Sequence, residues 1–135
     1  MTTDFRDLRV WREAMTLAES VYRLCDRFPT EERYGLAAQL KRAVVSVPSC
    51  IAEGNARGST REYLRFLSMA KGSLAEVQTQ VLLSARLGFI DESSLTPALG
   101  QVRAVSLLLH SLRKSLSAKL PRADHSPFPT PHSRL

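Results

Sequence analysis

The sequence predicts an all-α protein, an antiparallel up-down-up-down four-helix bundle, on three observations. Apolar residues recur at spacings of three and four over four long stretches, short breaks rich in glycine, proline or serine separate them, and no stretch alternates with the period of two that a half-buried strand needs. At 135 residues, 44% of them hydrophobic, the chain suffices for one continuous core, placed over residues 1–120 and followed by a tail over 121–135. The opening MTTDFRDLRVW lacks the apolar region of a signal peptide, and no run of ~18 apolar residues occurs, so a soluble cytoplasmic protein without membrane contact is expected.

The first helix is expected from Asp4 or Leu8 to Phe28. It carries two apolar stripes, Leu8, Trp11, Met15, Ala18, Tyr22, Cys25 and Val10, Ala14, Leu17, Val21, Leu24, Phe28. Together they are wider than the ~100° that one buried face requires, so the helix is either central in the core or presents its extra stripe to another subunit. Phe28-Pro29 ends it, because the residue before proline is pushed out of the helical region.

Thr30 is the expected N-cap of the second helix, with Glu31 and Glu32 in the first turn where the helix dipole favours negative charge. Its apolar face is Leu36, Leu40, Ala43, Val47, Ile51, and since that spacing continues past Pro48, a kink is expected there rather than a break. Gly54, Asn55 and Gly58 supply the turn. Ser59-Thr60-Arg61-Glu62 then forms a capping box, in which Ser59 covers the Glu62 amide and Glu62 reaches back to Ser59.

The third helix carries Tyr63, Leu67, Ala70, Leu74, Val77 and Val81 inward and ends at Leu87-Gly88-Phe89, where Gly88 suits a left-handed position. The fourth starts at Asp91 or at Thr96-Pro97 and runs to about Leu120 on the stripe Leu95, Leu99, Val102, Val105, Leu109, Leu112, Leu116; Pro121 stops it. The remainder, PRADHSPFPTPHSRL, holds four of the seven prolines and two of the three histidines without an apolar pattern, and is read as disordered.

Because both helices of the central hairpin rise ~1.5 Å per residue, residues equidistant from a turn near Ser59 share a height. Arg42 then lies opposite Glu76, Glu53 opposite Arg65, and Ser46 opposite Gly72, where the missing side chain would allow close approach. These are read as structural pairs that fix the register. No histidine, nucleophile or metal-ligand cluster accompanies the carboxylates, so no catalytic residue is assigned. No cofactor or metal site is expected either: Cys25 and Cys50 lack C-x-x-C spacing, and His110, His125 and His132 are isolated.

Charge is distributed unevenly. Up to Glu92 there are 13 Lys and Arg against 12 Asp and Glu, and from Ser93 onward 6 against 1. Arg103, Arg113, Lys114, Lys119 and Arg122 therefore make the last helix and the tail the best surface for RNA or DNA phosphates. A second candidate is Arg57 and Arg61, with Arg65, at the positive end of the third helix, although Glu62 opposes an anion there.

The segments LRVWREAMTLAESVYRL, FPTEERYGLAAQLKRAVVSVPSCIAEGNARGSTREYLRFLSMAKGSLAE and LLSARLGFI resemble the four-helix bundle family encoded in intervening sequences of bacterial 23S rRNA genes. That family shape is shared by the accessory variability protein of diversity-generating retroelements. The resemblance covers Phe5 to about Phe89; the fourth helix resembles the family only in kind. Arg42, Ser46, Pro48, Glu53, Gly54, Glu62, Arg65, Gly72, Ser73 and Glu76 match its pattern as scaffold positions, whereas Cys50 stands where the family commonly has asparagine. The resemblance implies a homo-oligomer, a pentameric ring with a central channel, for which the extra stripe of the first helix would supply an interface. It implies two functions: binding RNA or DNA through a basic surface, or acting as an adaptor that docks an acidic partner such as a reverse transcriptase.

Overall fold

The computed structural model describes residues 4–121. The expected tail from Arg122 onward, with His125 and His132, lies outside the described residues. A 3-10 turn at Phe5–Asp7 leads into helix α1, Arg9–Cys25. Of the two apolar stripes of α1, one is buried throughout: Val10, Ala14, Leu17, Val21 and Leu24 are in the core, as is Phe28 just beyond. On the other stripe Cys25 is buried, Leu8, Trp11 and Ala18 are half-buried against the core, and Met15 and Tyr22 are 39% and 43% exposed. The second stripe thus packs partly on the core, and only Met15 and Tyr22 leave apolar surface exposed. It ends earlier than the expected Phe28, because the amides of Asp26, Arg27 and Phe28 turn back to the carbonyls of Arg23, Leu24 and Cys25 in a tightened last turn before Pro29.

Helix α2, Leu36–Ala56, begins later than expected. Thr30–Glu32 form a separate 3-10 turn, and Thr30 caps nothing. The cap comes from Glu32, whose Oε1 accepts the Leu36 amide at 3.1 Å; a carboxylate at a helix N-terminus satisfies a free N–H and meets the positive end of the dipole. The helix runs unbroken across Pro48, which is buried. Burial of Leu40, Ala43, Val44, Val47 and Ile51 on both sides of the proline sustains the helix despite the missing amide hydrogen.

The turn is shorter than expected, since Gly54 and Asn55 are still helical and only Arg57–Ser59 connect α2 to α3, Thr60–Arg86. Gly54 serves contact rather than chain reversal: a Cβ there would lie 2.8 Å from Phe66 Cβ. The close approach expected at Gly72 does not occur, for a Cβ at that position would meet nothing within 4 Å.

Ser59 Oγ accepts the Glu62 amide at 3.1 Å, which is half of the expected capping box. The other half is absent, because the Glu62 carboxylate lies 3.5 Å from Arg65 instead. Ser59→Ala is expected to cost about 1 kcal/mol, measured as a lower urea midpoint at unchanged slope. At the far end Gly88 takes φ +79°, its amide bonding to the Ala85 carbonyl at 3.0 Å and that of Phe89 to the Ser84 carbonyl at 2.9 Å. This is the left-handed cap that glycine makes at least cost. The Phe89 ring meets Phe28, centroids 5.5 Å apart, and ties the α3 end to the α1 end.

Helix α4, Glu92–Ser117, starts at Asp91, whose Oδ1 accepts the Ser94 amide at 3.0 Å. Hydrogen bonds from the Ser93 hydroxyl and the Ser94 amide hold the Asp91 carboxyl below its usual range. Pro97 accordingly lies inside the helix and not at its first position.

Each helix packs on its neighbour in sequence and α4 closes against α1, while the diagonal pairs α1/α3 and α2/α4 make no close backbone approach. The result is an up-down-up-down bundle. Leu17, Leu40, Ile51, Leu67, Val77 and Leu109, drawn from all four helices, are fully buried at its centre. Among the described residues no helix is long and apolar enough to cross a membrane.

Candidate functional site

Two polar links establish the register of the α2/α3 hairpin. Asn55 Nδ2 donates to the Tyr63 hydroxyl at 3.3 Å, and the Ser46 and Ser73 hydroxyls are 2.8 Å apart. Both pairs straddle the turn near Ser59 almost symmetrically, as the height argument requires. Asn55 is only 8% exposed, so the link satisfies a buried amide. Burial pushes the Tyr63 phenol up, partly offset by the hydrogen bond from Asn55. Cys50 joins the second link, its Sγ 3.6 Å from Ser46 Oγ.

The expected ion pairs do not form on this frame. Arg42 and Glu76 line one shallow groove of about 270 Å³ with Gln39, Ala43, Ser46 and Ser73, yet no ion pair joins them. Glu53 pairs instead with Arg57 at 3.1 Å, and Arg65 with Glu62 at 3.5 Å. Partners one turn away on the same helix lie within side-chain reach whatever the packing, so they win over partners across the interface. Exposed as they are, each pair is worth about 0–1 kcal/mol.

Among the basic candidates, Arg57 is held both by Glu53 and over the Phe66 ring, 4.9 Å from its centroid. Arg61 is exposed and makes no ion pair among the described residues. Arg103, Lys114 and Lys119 are exposed on α4 or just beyond it, and Arg122 lies outside the described residues. Arg113 is half-buried and donates to Ser68 Oγ at 3.2 Å. That bond places the last turns of α4 level with the first turns of α3, so Lys114 and Lys119 share one end of the bundle with Arg57, Arg61 and Arg65. Arg103 is several turns away, toward the opposite end.

Sequence reading missed a smaller cluster. Lys71, His110 and Arg113, with Ser106, Leu107 and Leu109, line a groove of about 290 Å³ between α3 and α4. Its signal in the sequence is slight: Lys71 follows Ser68 by three residues, and His110 precedes Arg113 by three. Arg113 Nε is buried there without an acceptor among the described residues, a condition that costs about 1–3 kcal/mol for a polar group. A second groove of about 370 Å³, between α1 and α4, has Arg23 and Arg27 on its wall. It is already knit together by Arg27 donating to Ser94 Oγ and by Gln101 Nε2 donating to Ser20 Oγ at 3.0 Å.

Nothing in these arrangements positions a nucleophile beside a base. Burial pushes the Cys25 thiol up to about 11, which keeps it protonated near neutral pH. Among the described residues no three of His, Cys, Asp and Glu gather as metal ligands would.

A family model described as 23S rRNA-intervening sequence protein matches residues 6–111, extending past Phe89 into most of α4. No curated protein matches the chain. With the family match covering all but the ends, and a four-helix bundle beneath it, the chain belongs to the 23S rRNA-intervening sequence protein family.

Proposed function

We propose that the protein is a non-enzymatic, homo-oligomeric bundle acting in the cytoplasm, a ring of five as its family resemblance implies, and that it binds RNA or DNA through phosphate contacts. One observation carries the reading: the exposed cations Arg61, Lys114 and, just past α4, Lys119 fall at one end of the bundle, and α4 has no acidic residue after Glu92. Such an end attracts a polyanion at long range and holds it by displacing counterions. Supporting the oligomer is the apolar stripe of α1, with Met15 and Tyr22 exposed.

Filter binding of single-stranded RNA across a salt titration tests the reading. Retention is expected to weaken steeply as salt rises. An Arg57→Ala, Arg61→Ala variant is expected to bind less tightly, with a salt slope shallower by roughly 0.7 for each phosphate it no longer neutralises. Arg61→Ala should account for most of the change, because Arg57 is engaged by Glu53 and Phe66. Unchanged affinity and slope in the double variant would remove the α3 start from the interface. Absence of RNA and DNA retention even at low salt would overturn the reading in favour of an adaptor whose basic end docks an acidic partner such as a reverse transcriptase.

A further inference from the structure

We propose that the groove between α3 and α4 lined by Lys71, His110 and Arg113 is a binding site for one phosphate group. The inference rests on the nucleic-acid reading only for the source of that phosphate, not for the site itself. The Arg113–Ser68 hydrogen bond sets α3 and α4 antiparallel at a register that brings Lys71 level with His110. Three nitrogen-bearing side chains from two helices thus surround one groove of about 290 Å³, beside the Ser106 hydroxyl.

No carboxylate competes for them locally. Between Glu62 and Glu76 α3 has no acidic residue, and α4 has none after Glu92. Neither Lys71 nor Arg113 takes part in an ion pair among the described residues. Arg113 uses one guanidinium nitrogen on Ser68 and leaves Nε buried without an acceptor. Nε itself is closed to solvent, and the donor a groove phosphate can meet is the remaining terminal nitrogen Nη1, which has no hydrogen bond among the described residues; guanidinium N–H donors and phosphate oxygens match in geometry and charge. Leu107, 57% exposed on the groove wall, adds an apolar surface against which a sugar or base can rest, and so favours a nucleotide phosphate over free phosphate.

The test titrates the full-length protein with two probes, inorganic phosphate and a short single-stranded RNA without terminal phosphates, following amide NMR shifts and affinity. Lys71→Gln is the principal variant because Lys71 is exposed and its loss leaves the core intact; Arg113→Gln is added once its circular dichroism matches wild type. Saturable shifts at Lys71, Ser106 and His110 with either probe, weakened about tenfold by Lys71→Gln, are expected. Response to RNA alone assigns the site to a nucleic-acid phosphate, and response to inorganic phosphate with neither RNA nor DNA retained supports the site while overturning the nucleic-acid reading. RNA affinity that falls in the Arg57, Arg61 variant but is unchanged in Lys71→Gln, with no saturable response to inorganic phosphate, overturns this site and leaves the broader reading standing. No saturable response to either probe overturns this site, and absence of DNA retention as well overturns the broader reading.

Discussion

Gly54→Ala is expected to destabilise the protein by about 1–3 kcal/mol, while Gly72→Ala stabilises it by about 0.5–1 kcal/mol. Both glycines are helical, so on propensity alone both substitutions should help. The difference is tertiary. A Cβ at Gly54 would lie 2.8 Å from Phe66 Cβ and 3.2 Å from the Tyr63 carbonyl oxygen. Neither atom can swing aside by a rotamer change, because each is fixed to the α3 backbone, so relief requires separating the two helices. At Gly72 the same methyl group enters open space. Urea denaturation of the two variants reads the contrast directly; stabilities that change alike would mean that α2 and α3 are not held at this separation.

The second large effect is on assembly. Given the proposed homo-oligomer, a Met15→Glu, Tyr22→Glu variant is expected to lose self-association while keeping its helical circular dichroism. Met15 and Tyr22 lie outside the core, so charging them leaves the packing of Val10, Ala14, Leu17 and Val21 untouched. If this stripe is buried against another copy, each side chain contributes about 1.5–3 kcal/mol, and removing both loosens the association by roughly a hundredfold or more. The surface around it suits an interface with an apolar centre and polar rim: Glu19 and Arg23 flank the two residues, and Lys41 Nζ lies 5.1 Å from the Tyr22 ring centroid. Sedimentation velocity over a dilution series checks the outcome. An unchanged assembled mass would place the interface elsewhere.

Much of the candidate surface was legible in the sequence, because net charge along a helix is a property of composition. Lys114, Lys119 and Arg61, expected as basic surface residues, are exposed. Which cations act together was not legible. Arg103 shares α4 with Lys114 but lies several turns away, whereas Lys71, overlooked in sequence, comes level with His110 through the α3/α4 register. Arg57 looked available and is engaged by Glu53, a pairing its spacing of four already offered, and by the Phe66 ring across the hairpin, which only the packing brings to it.

The sequence by itself determined the four helices, their antiparallel order, the Ser59 and Gly88 caps and the approximate heights across the hairpin turn, but not the links made there, since Ser46 meets Ser73 in place of the expected Gly72 and the Asn55–Tyr63 bond is not among the expected pairs. Those features follow from spacing along one chain, which helical geometry converts directly into faces and heights. Tertiary structure alone decided which α1 stripe enters the core, that Gly54 rather than Gly72 is the point of closest approach, and that Glu32 rather than Thr30 caps α2. Each of these depends on the rotation of a helix about its own axis or on a local turn, and that rotation is set by how the whole core fills its volume, not by any periodicity within a single helix.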